Sequence, residues 1–314
     1  MYGIITGLIK LRKDGKIMKK NLLGNALLVI AAMIWGMAFT AQRVGMDSIE
    51  PITFTASRMA LSAVFVGGIA LVLRLFKRKE KKEQTSSKKN KTLIGGIACG
   101  FFLAIASLFQ QMGIVHTTAG KAGFITAMYI LFVPVIGVLF FKRKSSLRVW
   151  IAVALGVLGM YLLCIKESLS LTAGDSLVLL SAVMFSGHIL CCDYFAPRGD
   201  PVEISAIQFI TTAVITGVFA FIFESPSVEK ILSAAIPIAY CGILSGGVGY
   251  TLQIIAQKRT EPATASLLMS LESVFAVIGG VIILDEKMSV AEIVGCAVIF
   301  AAIVLVELPP MKKK

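Results

Sequence analysis

Charged side chains are scarce in this chain: Lys, Arg, Asp and Glu supply 16% of its 314 residues, against 57% hydrophobic. Soluble domains run nearer one quarter charged, so a water-soluble globular domain and a disordered tail are both excluded. The motifs of ATP-driven pumps and intramembrane hydrolases are missing too. A phosphate-cradling loop needs two glycines ahead of its Lys-Ser/Thr pair; the nearest approach is Gly120-Lys121, with Val115 at the first glycine position and Ala122 at the hydroxyl position. No H-E-x-x-H helix and no G-x-S-x-G turn occurs, so neither an enzyme nor a cofactor is expected. Six cysteines, Cys99, Cys164, Cys191, Cys192, Cys241 and Cys296, fall inside or at the edges of apolar blocks and read as small buried residues rather than a disulfide scaffold. The formal charge of +13 is carried between apolar blocks, which argues against a nucleic-acid partner.

What the chain has in abundance is long apolar runs. Runs of roughly 18 residues cross the ~30 Å hydrocarbon layer as helices, the economical form in lipid because it pairs its own backbone. Ten spans are expected: Leu22–Ala41, Ile52–Leu75, Leu93–Val115, Ala122–Phe141, Val149–Ile165, Ser176–Phe195, Ile204–Phe223, Ala234–Ile255, Ala263–Leu284 and Val290–Val306. With the N-terminus in the cytoplasm, 25 loop Lys and Arg fall inside and five outside, which places both termini in the cytoplasm. The basic start is not read as a signal peptide, because Leu22–Ala41 is longer than a typical signal core. Residues before Met18 are expected to be weakly organised, and Lys77–Lys91 is read as a solvated cytoplasmic loop.

Sliding the sequence against itself reveals a duplication. At an offset of 150, Pro51, Ala56, Ala63, Val64, Gly67 and Ala70 meet identical residues between Pro201 and Ala220. At an offset of 142, Gln111 meets Gln253, Thr118 meets Thr260 and Gly137 meets Gly279. Each half holds five spans, an odd number, so the second half is inverted relative to the first. Lys142, Arg143 and Lys144 overlie Leu284, Asp285 and Glu286, a basic cluster turned acidic where the topology places it outside. The expected fold is an all-α membrane protein of ten transmembrane helices arranged as two inverted five-helix repeats. Its parts are a cytoplasmic segment over 1–21, repeats over 22–166 and 167–308, and a basic tail over 309–314. The pairs Gly96/Gly100 and Gly242/Gly246 suggest close packing of the third and eighth spans near the pseudo-twofold axis.

The chain resembles the EamA-type branch of the drug/metabolite transporter superfamily. The likeness covers about 22–307 and rests on Ala31-Ala32-Met33-Ile34-Trp35-Gly36, on Ala56-Ser57-Arg58, on the run Thr117–Thr126, and on Ala265–Glu272. It implies transport of small solutes, often export of amino acids or metabolites. Two departures stand out: Glu272-Ser273 replaces the family's common Glu-Pro, and the fourth-span proline is displaced to Pro134.

Nine residues are candidates for a solute site. Glu272 lies about 14 Å into the ninth span, near the midplane. A carboxylate there costs roughly 2.5–3.5 kcal/mol and should face the bundle interior, where it either carries a proton or bonds neighbouring helices. Arg58, about 9 Å into the second span, could attract an anion, pair with a carboxylate or snorkel. Its repeat mate is Gln208. Trp35 and Tyr129 lie deeper than interfacial aromatics and either line a cavity or pack between helices. Gln111 with its neighbour Gln110, and Tyr250 with Gln253, occupy equivalent third and eighth spans and suit a polar pocket or helix bridging. His188 shares a helical face with Cys191 and Cys192; lacking a matched second cluster, it reads as packing or cavity-lining, and no metal is expected. Lys121 reads as a solvated anchor at the outer mouth.

Together these readings predict a secondary transporter of small organic solutes, export being the expected direction, that alternates access around a polar cavity between repeats. Protons are a candidate coupling ion, the lipid bilayer is the medium, and the assembly is a monomer or homodimer. The expected location is a bacterial-type plasma (inner) membrane. A lipid-handling or membrane-scaffold protein is the alternative.

Overall fold

The computed structural model describes residues 2–79, 86–143, 145–163, 172–284 and 289–307, and all of the regular structure among them is helical. The sequence readings that rest on Lys144, on the acidic pair Asp285 and Glu286, on Cys164 and on the basic tail lie outside the described residues. Helix α1 spans Tyr2–Gly45, so the helical backbone begins well before the expected first span. Helices α2 (Pro51–Lys79) and α3 (Ser86–Ile114) follow; the Lys88–Lys91 part of the expected loop is thus the first turns of α3.

The expected fourth span is two helices, α4 (Ala119–Thr126) and α5 (Tyr129–Phe141). The expected ninth is likewise α12 (Pro262–Met269) and α13 (Leu271–Leu284). The breaks fall at equivalent repeat positions. At each, the ladder tightens to a three-residue turn: Met128 N–H donates to Ile125 O at 3.1 Å and Ser273 N–H to Ser270 O at 3.1 Å. Neither break is at a proline, because Pro134 lies one and a half turns into α5. The expected eighth span also differs. After the short α9 (Val228–Ser233) and α10 (Ala235–Ala239) it widens into a π-helix over Tyr240–Tyr250 before α11 (Thr251–Gln257). Four glycines in that stretch remove the side chains that would crowd the wider turns. Helices α6 (Leu147–Leu163), α7 (Ala173–Phe195), α8 (Pro201–Phe223) and α14 (Val290–Glu307) complete the set. Among the described residues, seven segments are long and apolar enough to cross a membrane, and three shorter apolar helices stand at the positions of the remaining expected spans.

The main packing joins one repeat to the other. Repeat mates α2 and α8 pack along each other, as do α6 and α14, while α3 inserts against α7 and α8, and the π-helix against α1 and α2. The third and eighth spans therefore do not form the contact expected from their glycine pairs; each glycine pair seats a helix of the opposite repeat. A Cβ at Gly100 would lie 2.7 Å from Gln208 O, and one at Gly242 would lie 2.9 Å from Arg58 O, so only glycine permits either approach. These four residues are two pairs of repeat mates. Thr212 Oγ1 donates to Gly100 O at 3.0 Å, and its mate Ser62 Oγ donates to Gly242 O at 2.6 Å. The two halves thus build the same joint twice. Mates Val64 and Val214 are 74% and 61% exposed, on the outward faces of α2 and α8 that lipid would cover.

Candidate functional site

Between the repeats lies a cavity of about 40 Å³, room for roughly two or three waters. Seven of the nine candidate residues line it: Trp35 from α1, Arg58 from α2, Tyr129 from α5, His188 from α7, Tyr250 and Gln253 from the π-helix and α11, and Glu272 from α13. Arg58 and Glu272 are 3% and 4% exposed, so Arg58 does not snorkel to the interface. The other two candidates do not line it. Gln208 stands behind His188, its Oε1 3.0 Å from His188 Nε2. The Gln111 amide reaches Met46 Sδ at 3.2 Å, because one residue along a helix turns a side chain by about 100°. Gln110 takes the cavity position instead and donates to Thr126 Oγ1 at 3.0 Å. Gln42, Phe39, Phe185, Thr126 and Ser245 also line the cavity. Thr126 ends the run Thr117–Thr126; Phe39, Phe185 and Ser245 carried no sequence signal beyond lying in a span, and Gln42 falls just past the expected first span, on the Trp35 side of α1.

The breaks explain the placement of Tyr129 and Glu272. Tyr129 opens α5 and Glu272 lies in the first turn of α13, where the positive end of a helix dipole meets the membrane midplane and suits a carboxylate. The Tyr129 hydroxyl is a near neighbour of the Glu272 carboxyl, though the two are not aligned as a well-formed hydrogen bond. An aromatic wall closes one side. Trp35 Nε1 donates to Ser245 O at 3.0 Å, and its ring lies 4.8 Å from that of Tyr250, which also meets His188 edge-on at 5.6 Å. A Cβ at Gly249 would come within 2.7 Å of Trp35 Nε1, so glycine here lets the indole lie on the backbone.

Nine buried side-chain polar atoms lack a hydrogen-bond partner among the described residues, and five belong to this lining: Gln42 Oε1, Arg58 Nε, Tyr129 OH, Gln253 Oε1 and Glu272 Oε1. Leaving one such group unmet costs about 1–3 kcal/mol. Five residues around one void thus each keep a buried polar atom with an unmet hydrogen bond.

Two closures flank the cavity. On one face, Lys121 is not the solvated anchor expected from the sequence. Its Nζ lies 2.6 Å from Asp175 Oδ2, with side chains 10% and 0% exposed. Thr117 Oγ1 donates to Asp175 Oδ1 at 2.7 Å and Thr172 N–H to Oδ2 at 2.8 Å, which ties the start of α4 to the start of α7. On the opposite face Asn25, the repeat mate of Asp175, accepts at Oδ1 from Thr260 Oγ1 at 3.3 Å. That face also carries a second cavity of about 320 Å³ bordered by Arg143, Asp193 and Glu261, with Arg143 Nη2 2.6 Å from Asp193 Oδ2.

Two repeats interlocked around a polar midplane cavity define a membrane carrier architecture. Residues 22–165 and 172–308 each match the EamA-like transporter family, and the chain belongs to that family. An uncharacterized transporter of Archaeoglobus fulgidus is 26% identical over 92% of this chain and 87% of its own length. The uncharacterized transporter YoaV of Bacillus subtilis is 25% identical over 91% and 96%. The uncharacterized inner membrane transporter YedA of Escherichia coli is 23% identical over 88% of each chain. A solved crystal structure superposes with a TM-score of 0.72 at 17% identity, covering 90% of this chain and 96% of that one, and so shares the fold. The protein is a multi-pass membrane transporter.

Proposed function

We propose that the protein exports small zwitterionic solutes, amino-acid-like molecules with an apolar side chain, in exchange for protons by alternating access. The observation that carries this reading is a cavity lined by one buried cation, Arg58, and one buried carboxylate, Glu272, beside an aromatic wall, five of its lining residues each holding an unpartnered polar atom. Arg58 takes the solute carboxylate, Glu272 its ammonium, and Trp35 with Tyr250 its apolar part. Glu272 holds either a proton or the solute cation, which couples the two flows. At about 40 Å³ the cavity is contracted, so loading requires the repeats to move apart on one side. The Lys121–Asp175 closure faces outward and the Thr260–Asn25 closure faces the cytoplasm, with both termini cytoplasmic, in the inner membrane of a bacterial-type cell, as monomer or homodimer. The repeats fall at 22–166 and 167–308.

Flux in proteoliposomes tests the reading. A panel of amino acids, nucleosides, sugars and quaternary amines is first ranked by thermal stabilisation, since a ligand of the folded state adds about 2.7 kcal/mol at 100-fold its Kd. Apolar amino acids are expected to rank first, and an imposed pH gradient to drive their flux in the wild type but not in Glu272→Gln. Gradient-driven flux that survives Glu272→Gln removes proton coupling through this residue. Stabilisation by none of the zwitterions removes the solute class.

A further inference from the structure

Three soft ligands meet at the interface of α3 and α7, just behind the cavity wall. Cys99, His188 and Cys192 are 0%, 1% and 0% exposed, and their ligand atoms lie within 4.8 Å of one another. Cys99 Sγ is 3.7 Å from Cys192 Sγ, which lies beside the imidazole of His188, 3.6 Å from Nε2 and 3.9 Å from Nδ1. Zinc bonds of about 2.3 Å to sulfur and 2.0–2.1 Å to nitrogen, at tetrahedral angles, place sulfurs about 3.8 Å apart and sulfur about 3.6 Å from nitrogen. The sulfur–sulfur edge of such a polyhedron thus already exists, and the sulfur–nitrogen edge closes when the imidazole turns its Nδ1 toward the two thiols. With Nε2–H donating to Gln208 Oε1 at 3.0 Å, Nδ1 is left as the free lone pair that a metal needs.

We propose that Cys99, Cys192 and His188 form a zinc-class divalent metal site, with Gln208 as the residue that fixes the imidazole. Charge selects the divalent class. Two thiolates and one divalent ion sum to zero in an apolar interior, whereas a monovalent soft ion leaves a buried negative charge. Binding breaks two S–H bonds and forms two metal–sulfur bonds; both protons leave to solvent, so affinity rises with pH. Three protein ligands leave one tetrahedral position for water or a solute group. His188 borders the cavity, which supplies the entry path, and a filled site pins α3 of the first repeat to α7 of the second.

The test uses reduced, tag-free, purified protein titrated with cobalt(II) and zinc(II). The expected result is one ion per chain, with thiolate-to-cobalt charge-transfer bands and the intense ligand-field absorption of four-coordinate cobalt. Both should vanish in Cys99→Ser and Cys192→Ser and persist in Cys191→Ser, whose thiol lies outside the cluster. Gln208→Leu should weaken zinc roughly 10–100-fold. Should a cysteine variant fail to fold, X-ray absorption at the zinc edge of the wild type decides: two sulfurs at about 2.3 Å support the site. A shell of nitrogen and oxygen alone, no thiolate bands at stoichiometric cobalt, or unchanged binding in a folded Cys99→Ser would overturn it.

Discussion

Replacing Asp175 with Ala should be among the most damaging single changes on the face it closes. Its carboxylate is fully buried and accepts from Lys121 Nζ at 2.6 Å, Thr117 Oγ1 at 2.7 Å and Thr172 N–H at 2.8 Å. It is also half of the capping box that starts α7. Stripping one partner from a buried ion pair costs about 3–5 kcal/mol, chiefly because the other charge is stranded. The Lys121 side chain keeps 10% exposure and can relax toward solvent, which favours the low end, about 3 kcal/mol. For a chain of this size that corresponds to a fall in apparent Tm on the order of 5–10 °C. Lys121→Met should cost less, since the carboxylate it abandons still accepts from Thr117 and Thr172. Thermal unfolding in detergent across the Lys121→Met, Asp175→Asn cycle reads the coupling, expected at about 1–3 kcal/mol. An Asp175→Ala protein that melts within a degree or two of wild type, or a cycle with no coupling, would refute the view that this pair holds α4 to α7.

Glu224 caps α2 from the end of α8, accepting from Ile52 N–H at 3.0 Å and Thr53 N–H at 2.6 Å, so Glu224→Ala should cost about 1–2 kcal/mol and Glu224→Gln less, by the same unfolding assay. Gly249→Ala should push the indole off Ser245 O, at about 1–3 kcal/mol for the overpacking. In a Trp150→Phe background the Trp35 emission should shift with it, and an unmoved spectrum counts against the close approach. The Glu50–Lys230 pair lies on the surface, and Lys230 holds the Glu50 carboxyl below its ordinary value. Its contribution is therefore present above the usual carboxylate range and lost as pH falls through the lowered value; a double-mutant cycle should give under about 1 kcal/mol at pH 7 and nothing in acid.

Much of the architecture was legible in the sequence because lipid imposes a local rule. A span must be apolar along its own length, so spans can be counted from composition, and duplicated halves leave identities at fixed offsets. Seven of the nine candidate residues meet at one cavity for a related reason: polar and aromatic groups deep in a span are costly unless they face one another. The placement of Gln111 shows where rotation about a helix axis matters. Gln110 faces the cavity and Gln111 does not, and a polarity pattern cannot separate neighbours whose helix is buried on most sides.

The sequence by itself determined the class of protein, its spans, its duplication and the residues too expensive to leave in lipid. Only the tertiary structure decided which distant groups touch: Lys121 with Asp175, Glu224 with the start of α2, and Cys99 with Cys192 across 93 positions of chain. The physical reason is that hydrophobic burial along a helix is a one-dimensional property. The meeting of side chains from opposite repeats depends instead on crossing angle, axial register and the glycine joints that set how closely two helices approach.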